Sequence, residues 1–129
     1  MIFPNRKQIV RINKKIIDST KGYFSPPENL RDENSLEWVL CTIQYPLFNT
    51  CSTIEEKASL LSWTINAGHV FHDGSKRTGM TILQVFLEAN SVYLRATDEE
   101  FIAMALFVGD SKNKKISKDI LTDWIRKHI

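Results

Sequence analysis

The 129-residue sequence predicts an all-α fold: a single domain, residues 1–129, of about six helices around one buried central helix. Three observations carry this. Apolar residues recur at three- and four-residue spacing in separate stretches, with no sustained alternation of the strand kind. Three stretches open with the capping-box spacing: Asn34 with Glu37, Thr53 with Glu56, and Thr97 with Glu100. One stretch, from about Lys76 to Ala89, is apolar on nearly every side, which suits a helix enclosed by others.

Taken in order, Ile9, Ile12, Ile16 and Ile17 define the first helix, with Asn5 as its cap and an end near Thr20. Pro26-Pro27 marks the loop from Tyr23 to Arg31. The second helix starts at Asp32 or Asn34, buries Leu36, Val39, Leu40 and Ile43, and stops at Pro46. After a connector from Tyr45 to Ser52, the third runs from Thr53 to about Ala67 through Ala58, Leu61 and Ile65, with Leu60 and Trp63 widening its apolar side. The fourth is the central helix, with Met80, Ile82, Leu83, Val85, Phe86 and Leu87, and Asn90 stops it. Val92-Tyr93-Leu94 reads as a short extended piece. The fifth helix carries Phe101, Ile102, Ala105 and Leu106 and ends at Gly109. Ser111 to Lys115 is a basic, solvated loop, and Ser117 caps a last helix with Ile120, Leu121, Trp124 and Ile125 turned inward. Trp38, Trp63 and Trp124 read as packing residues.

Composition narrows the function classes. Lys and Arg number 17 against 15 Asp and Glu, a net charge of +2, which gives little pull toward nucleic acid or an anionic membrane. No apolar run approaches the roughly 20 residues of a membrane span. The first residues have no apolar core of the signal-peptide kind. Two cysteines, Cys41 and Cys51, are too few for a disulfide framework. A reduced, cytoplasmic protein is the expectation.

Chemistry concentrates in His69-Val70-Phe71-His72-Asp73-Gly74-Ser75-Lys76-Arg77-Thr78-Gly79, which joins the third helix to the central one. Gly74 permits a tight turn and close approach to a ligand. The first amides of the following helix lack intrahelical acceptors and, with the dipole, favour an anion. Lys76 and Arg77 oppose that dipole unless an anion joins them. Asp73 suits Mg²⁺, which takes one or two carboxylates beside phosphate oxygens. His69 has the chemistry of a general base near neutral pH, and Phe71 is the inward anchor of the loop. A plain solvated interhelical loop and a weak zinc site at His69 and His72 are the competing readings. A Walker A loop is excluded, because Gly68 and Gly74 are six apart, Ser75 precedes the Lys, and no strand leads in.

The stretch resembles the signature of the Fic/Doc family, His-x-Phe-x-(Asp/Glu)-(Gly/Ala)-Asn-(Gly/Lys)-Arg. His69, Phe71, Asp73, Gly74, Lys76 and Arg77 match it, and Lys76 followed by Arg77-Thr78 is similar to the Doc, or death-on-curing, branch. Leu30-Arg31-Asp32, Leu36-Glu37 and Phe86 to Asn90 look alike as well. The resemblance implies a Fic/Doc-like helical fold that uses ATP and Mg²⁺. In the Doc branch it implies a kinase-type phosphotransferase toxin that modifies elongation factor Tu, blocks translation and is held by a cognate antitoxin. Carried over residue by residue, His69, Asp73 and Arg77 are catalytic, with Asp73 on the metal. Gly74, Ser75, Lys76 and Arg77 then bind the nucleotide phosphates. Fic-type AMP transfer to protein, and a weakened Fic-like binding module, are the alternatives. One departure stands out: Ser75 occupies the family's Asn position and offers one donor where Asn offers two. The expectation is an attenuated enzyme in which Ser75, solvent-facing, is improved by Asn.

Overall fold

In the computed structural model, which describes residues 1–46, 51–110 and 118–129, the helices pack around a central pair. Six α-helices are formed among the described residues: α1 Arg6–Thr20, α2 Glu33–Gln44, α3 Ile54–Ala67, α4 Ser75–Ala89, α5 Asp98–Gly109 and α6 Lys118–Lys127. Their starts follow from side-chain caps. Asn5, Thr53 and Thr97 each close a capping box, with Gln8, Glu56 and Glu100. Asp32 rather than Asn34 caps α2, by accepting from the Ser35 amide and hydroxyl. With α2 starting at Glu33, Asn34 lies inside the helix, so the Asn34–Glu37 spacing does not form its cap.

The apolar faces form two clusters. One joins α1, α2 and α3 with Val70 and Phe71, and the other joins α3, α4, α5 and α6. Phe3 packs against both and stacks on Phe86 at 5.8 Å. α4 is central as expected, although one side is open and Val85 is exposed. α3 is buried as fully, including Ser59, Ser62 and Asn66. Its small polar groups are turned inward: Thr122 Oγ1 donates to Ser59 Oγ at 2.8 Å, and Asn66 Nδ2 donates to the Ala105 carbonyl at 3.0 Å, while Asn66 Oδ1 meets no hydrogen-bond partner among the described residues. A buried hydroxyl or amide is tolerated when it has such a partner.

Two expected packing residues lie elsewhere. Trp38 and Ile120 are exposed, at 55% and 42%, while Leu121 and Ile125 hold α6 in place. Trp63 and Trp124 are half-buried. Val92 to Leu94 joins no strand, and the isolated pairing among the described residues is Leu30 with Phe71. Cys51 is buried and Cys41 exposed. The expected Ser111–Lys115 loop and Ser117 cap lie outside the described residues.

The chain end is fastened by a histidine. His128 Nδ1 faces the Trp124 carbonyl at 2.6 Å and Nε2 faces the Glu100 carboxylate at 2.8 Å. Two acceptors favour the doubly protonated ring, so first the Trp124 carbonyl and then Glu100 raise the His128 pKa. A raised pKa gives stability that is complete below the unfolded value and lost as pH rises through the folded one. His128→Gln should therefore lower the melting temperature more at about pH 6 than at about pH 8. An equal loss at both would show that the ring acts by packing alone.

Candidate active site

The site is built on the way α3 ends. Asn66 accepts from the His69 amide at 3.2 Å and Ile65 from the Val70 amide at 3.2 Å. This is the paired closure that reverses a chain after a helix, and it puts the first residue beyond the cap in the left-handed region. That residue is His69, with φ +50°. A side chain held where glycine is usual is the kind of strain that functional sites retain.

From there the chain enters the core. Val70 and Phe71 are buried, and burying one such side chain contributes about 1.5–3 kcal/mol. A second segment backs them. The Arg31 and Asp32 amides donate to the Val70 carbonyl at 2.7 and 3.0 Å, and the His72 amide donates to the Asn29 carbonyl at 3.0 Å. Arg31 Nη1 also reaches the His69 carbonyl at 3.3 Å. These bonds turn the opposite edge of Phe71 toward Ser75, whose hydroxyl accepts from the Phe71 amide and donates to the Phe71 carbonyl, both at 3.0 Å. Ser75 is thus buried, at 7% exposure, and its single proton is used inside the loop. The solvent-facing position expected from the sequence is corrected here.

Gly74, at φ +77°, caps α4 with no side chain over the helix end. The amides that open α4 therefore face a depression of about 340 Å³, walled by His69, Phe71 and the run from His72 to Arg77. Asp73 leans against Gly22, where a Cβ would lie 2.5 Å from Oδ2. The Lys76 stem lies across Gly109 so closely that a Cβ there would meet its Cγ, Cδ and Cε. Lys76 and Arg77 also wall an apolar groove of about 550 Å³ between α4, α5 and Ile16 of α1. Among the described residues, Asp73, Lys76 and Arg77 enter no ion pair. Two uncompensated cations at a helix N-terminus, with an amide row beside them, suit an anionic ligand.

Residues 3–87 match the Fic/DOC family. The chain belongs to the Fic/DOC family. Its all-α fold is that of a Fic/Doc domain, and the family is one of transferases that use a nucleotide substrate. No curated protein matches the chain. The stretch from His69 to Arg77 falls inside the matched range, from the end of α3 into the first turn of α4.

All the signature residues singled out from the sequence thus meet at one depression, with Ser75 turned inward. Of the open alternatives, zinc is unsupported: no group of three or more His, Cys, Asp or Glu is placed to hold a metal among the described residues. One carboxylate, Asp73, beside a depression suited to an anion does fit Mg²⁺, which keeps most of its waters and takes phosphate oxygens as ligands. No helix is long and apolar enough to cross a membrane among the described residues. Sequence reasoning missed the backing groups Asn13, Asn29 and Gly22, and noted Arg31 only as part of the Leu30-Arg31-Asp32 resemblance.

Proposed function

We propose that the chain is a Doc-type phosphotransferase that moves the terminal phosphoryl of ATP to a hydroxyl of a target protein. The observation that supports it most is the meeting of His69, Asp73, Lys76 and Arg77, the last two in no ion pair among the described residues, and the α4 amides around one depression. Phosphoryl transfer asks for positioning and charge neutralisation. His69 takes the proton of the target hydroxyl as its oxygen attacks the γ-phosphorus, and ADP leaves with the electron pair of the broken P–O bond. Arg77, Lys76 and the amides of Ser75 to Arg77 hold the phosphate oxygens. Asp73 would hold Mg²⁺, which supplies charge neutralisation on the phosphates when bound. Lys76 favours phosphoryl over nucleotidyl transfer: a bulky cation at the boundary of depression and groove, where the other Fic relatives carry Gly, turns the nucleotide round.

The biological reading follows the Doc resemblance. The protein is a cytoplasmic toxin that modifies elongation factor Tu and so blocks translation. Its antitoxin covers the groove beside the signature, where Ile102 and Leu106 of α5 stand exposed. The deciding experiment incubates the protein with target and ATP labelled at either the α or the γ phosphate. Label from γ is expected. Label from α would instead establish AMP transfer, and neither would leave a Fic-like binding module.

The metal has its own test. MgATP at a hundred times its dissociation constant should stabilise the protein by about 2.7 kcal/mol. Melting curves should show that gain fall without Mg²⁺ and in Asp73→Ala. Equal stabilisation in all three samples would remove the metal from the site.

A further inference from the structure

The depression has a second layer behind it, made by two asparagines from distant parts of the chain. Asn13 of α1 is fully buried, and its Nδ2 donates to the Asp73 carbonyl and to Thr78 Oγ1, both at 3.0 Å. Its Oδ1 accepts from Asn29 Nδ2 at 2.9 Å, and the same Asn29 nitrogen reaches the Asp73 carbonyl at 3.2 Å. Asn29 is 1% exposed and left-handed, with φ +58°. Its Oδ1 accepts from the Ser25 amide at 3.0 Å, and its own carbonyl holds the His72 amide. One carbonyl, that of Asp73, therefore receives two amide donors, and Asn13 ties it to the first turn of α4.

The consequence is geometric. Fixing the Asp73 carbonyl fixes the peptide plane between Asp73 and Gly74. That plane sets both where the Asp73 carboxylate points and how the α4 amides meet the depression. Asn13 allows no slack, since a Cβ on Gly74 would lie 3.1 Å from its Nδ2. Neither asparagine is among the residues that wall the depression. Interlocked buried amides of this kind hold one arrangement, because any other leaves a donor unmet.

The geometry points to Asn13 and Asn29 as positioning residues that aim the Asp73 carboxylate and the α4 amides at one ligand. This role rests on the nucleotide reading given above for what the ligand is, but not for the loop geometry. The test compares Asn13→Ala and Asn29→Gly with Ile125→Val, a mild destabilisation in distant α6. Asn29→Gly keeps the left-handed backbone and removes only the amide.

Amide hydrogen exchange at His72 and Thr78 should quicken by about tenfold or more beyond any rise at Leu61 and Leu121 in both asparagine variants. In titrations of the same proteins with MgATP, the Mg²⁺ midpoint should rise by about tenfold, and ATP affinity without metal should fall as well, because the α4 amides lose their aim together with the carboxylate. Exchange and Mg²⁺ midpoint matching those of Ile125→Val would overturn the inference. A wild-type protein that binds no MgATP would remove the nucleotide reading, and the exchange comparison would then decide the positioning role alone.

Discussion

Replacing His69 by Ala or Asn is expected to lower the transfer rate by about a hundred- to ten-thousand-fold, the usual contribution of a positioned general base, with the helical fold retained. His69 opens the wall of the depression, and its place is set by its own main chain: its amide donates to the Asn66 carbonyl and its carbonyl accepts from Arg31 Nη1. On the His69 side those bonds use main-chain atoms, so they survive loss of the ring. The left-handed φ separates the two variants. Ala there costs about 1 kcal/mol, whereas Asn tolerates the conformation. The Asn variant should melt closer to wild type while losing as much activity. Single-turnover transfer at saturating MgATP, read beside the melting temperature, makes the comparison. Activity within about tenfold of wild type in either variant would take the base role from His69.

The contrast between what could and could not be read from the sequence is physical. Capping boxes are local, and Thr53 with Glu56 and Thr97 with Glu100 work as read. The signature is local too: residues 69 to 77 form one turn between two helices, so their order brings them together. The backing layer is not local. Asn13 is 60 residues from Asp73, Asn29 is 44 residues from it, and Arg31 is 38 from His69. Asn29 in a Pro-containing loop reads as a turn residue, and Asn13 interrupts the apolar spacing of α1 without announcing a partner. Burial of α3 was hidden for a related reason. Ser59, Ser62 and Asn66 look like a solvated side until Thr122, Met80 and Ala105 supply their contacts from α6, α4 and α5. The same holds for Trp38, apolar by type yet left outside because Leu36, Val39, Leu40 and Ile43 already fill the inner face of α2.

Ser75 shows how tertiary context changes the chemistry assigned to a motif position. Ser75→Ala is expected to destabilise the protein by about 2–4 kcal/mol, since it strips partners from the buried Phe71 amide and carbonyl at once. That is a large share of the roughly 5–15 kcal/mol that holds a domain together. Ser75→Asn should fare better, because one carboxamide carries both a donor and an acceptor and can close the same two bonds. Its effect on rate should be small, within about tenfold, because the hydroxyl proton it replaces points at Phe71 and not at developing phosphate charge. The backbone amide of residue 75, present in every variant, is left to face the anion. Urea unfolding of the three proteins gives the stabilities, and single-turnover transfer gives the rates. A rise in rate above about a hundredfold in Ser75→Asn would return this side chain to the phosphate cradle and make Ser75 a brake on the enzyme. An Ala variant as stable as wild type would mean that the Phe71 edge finds water or another partner, and that the loop is held by Asn13, Asn29 and the Val70 pairing without it.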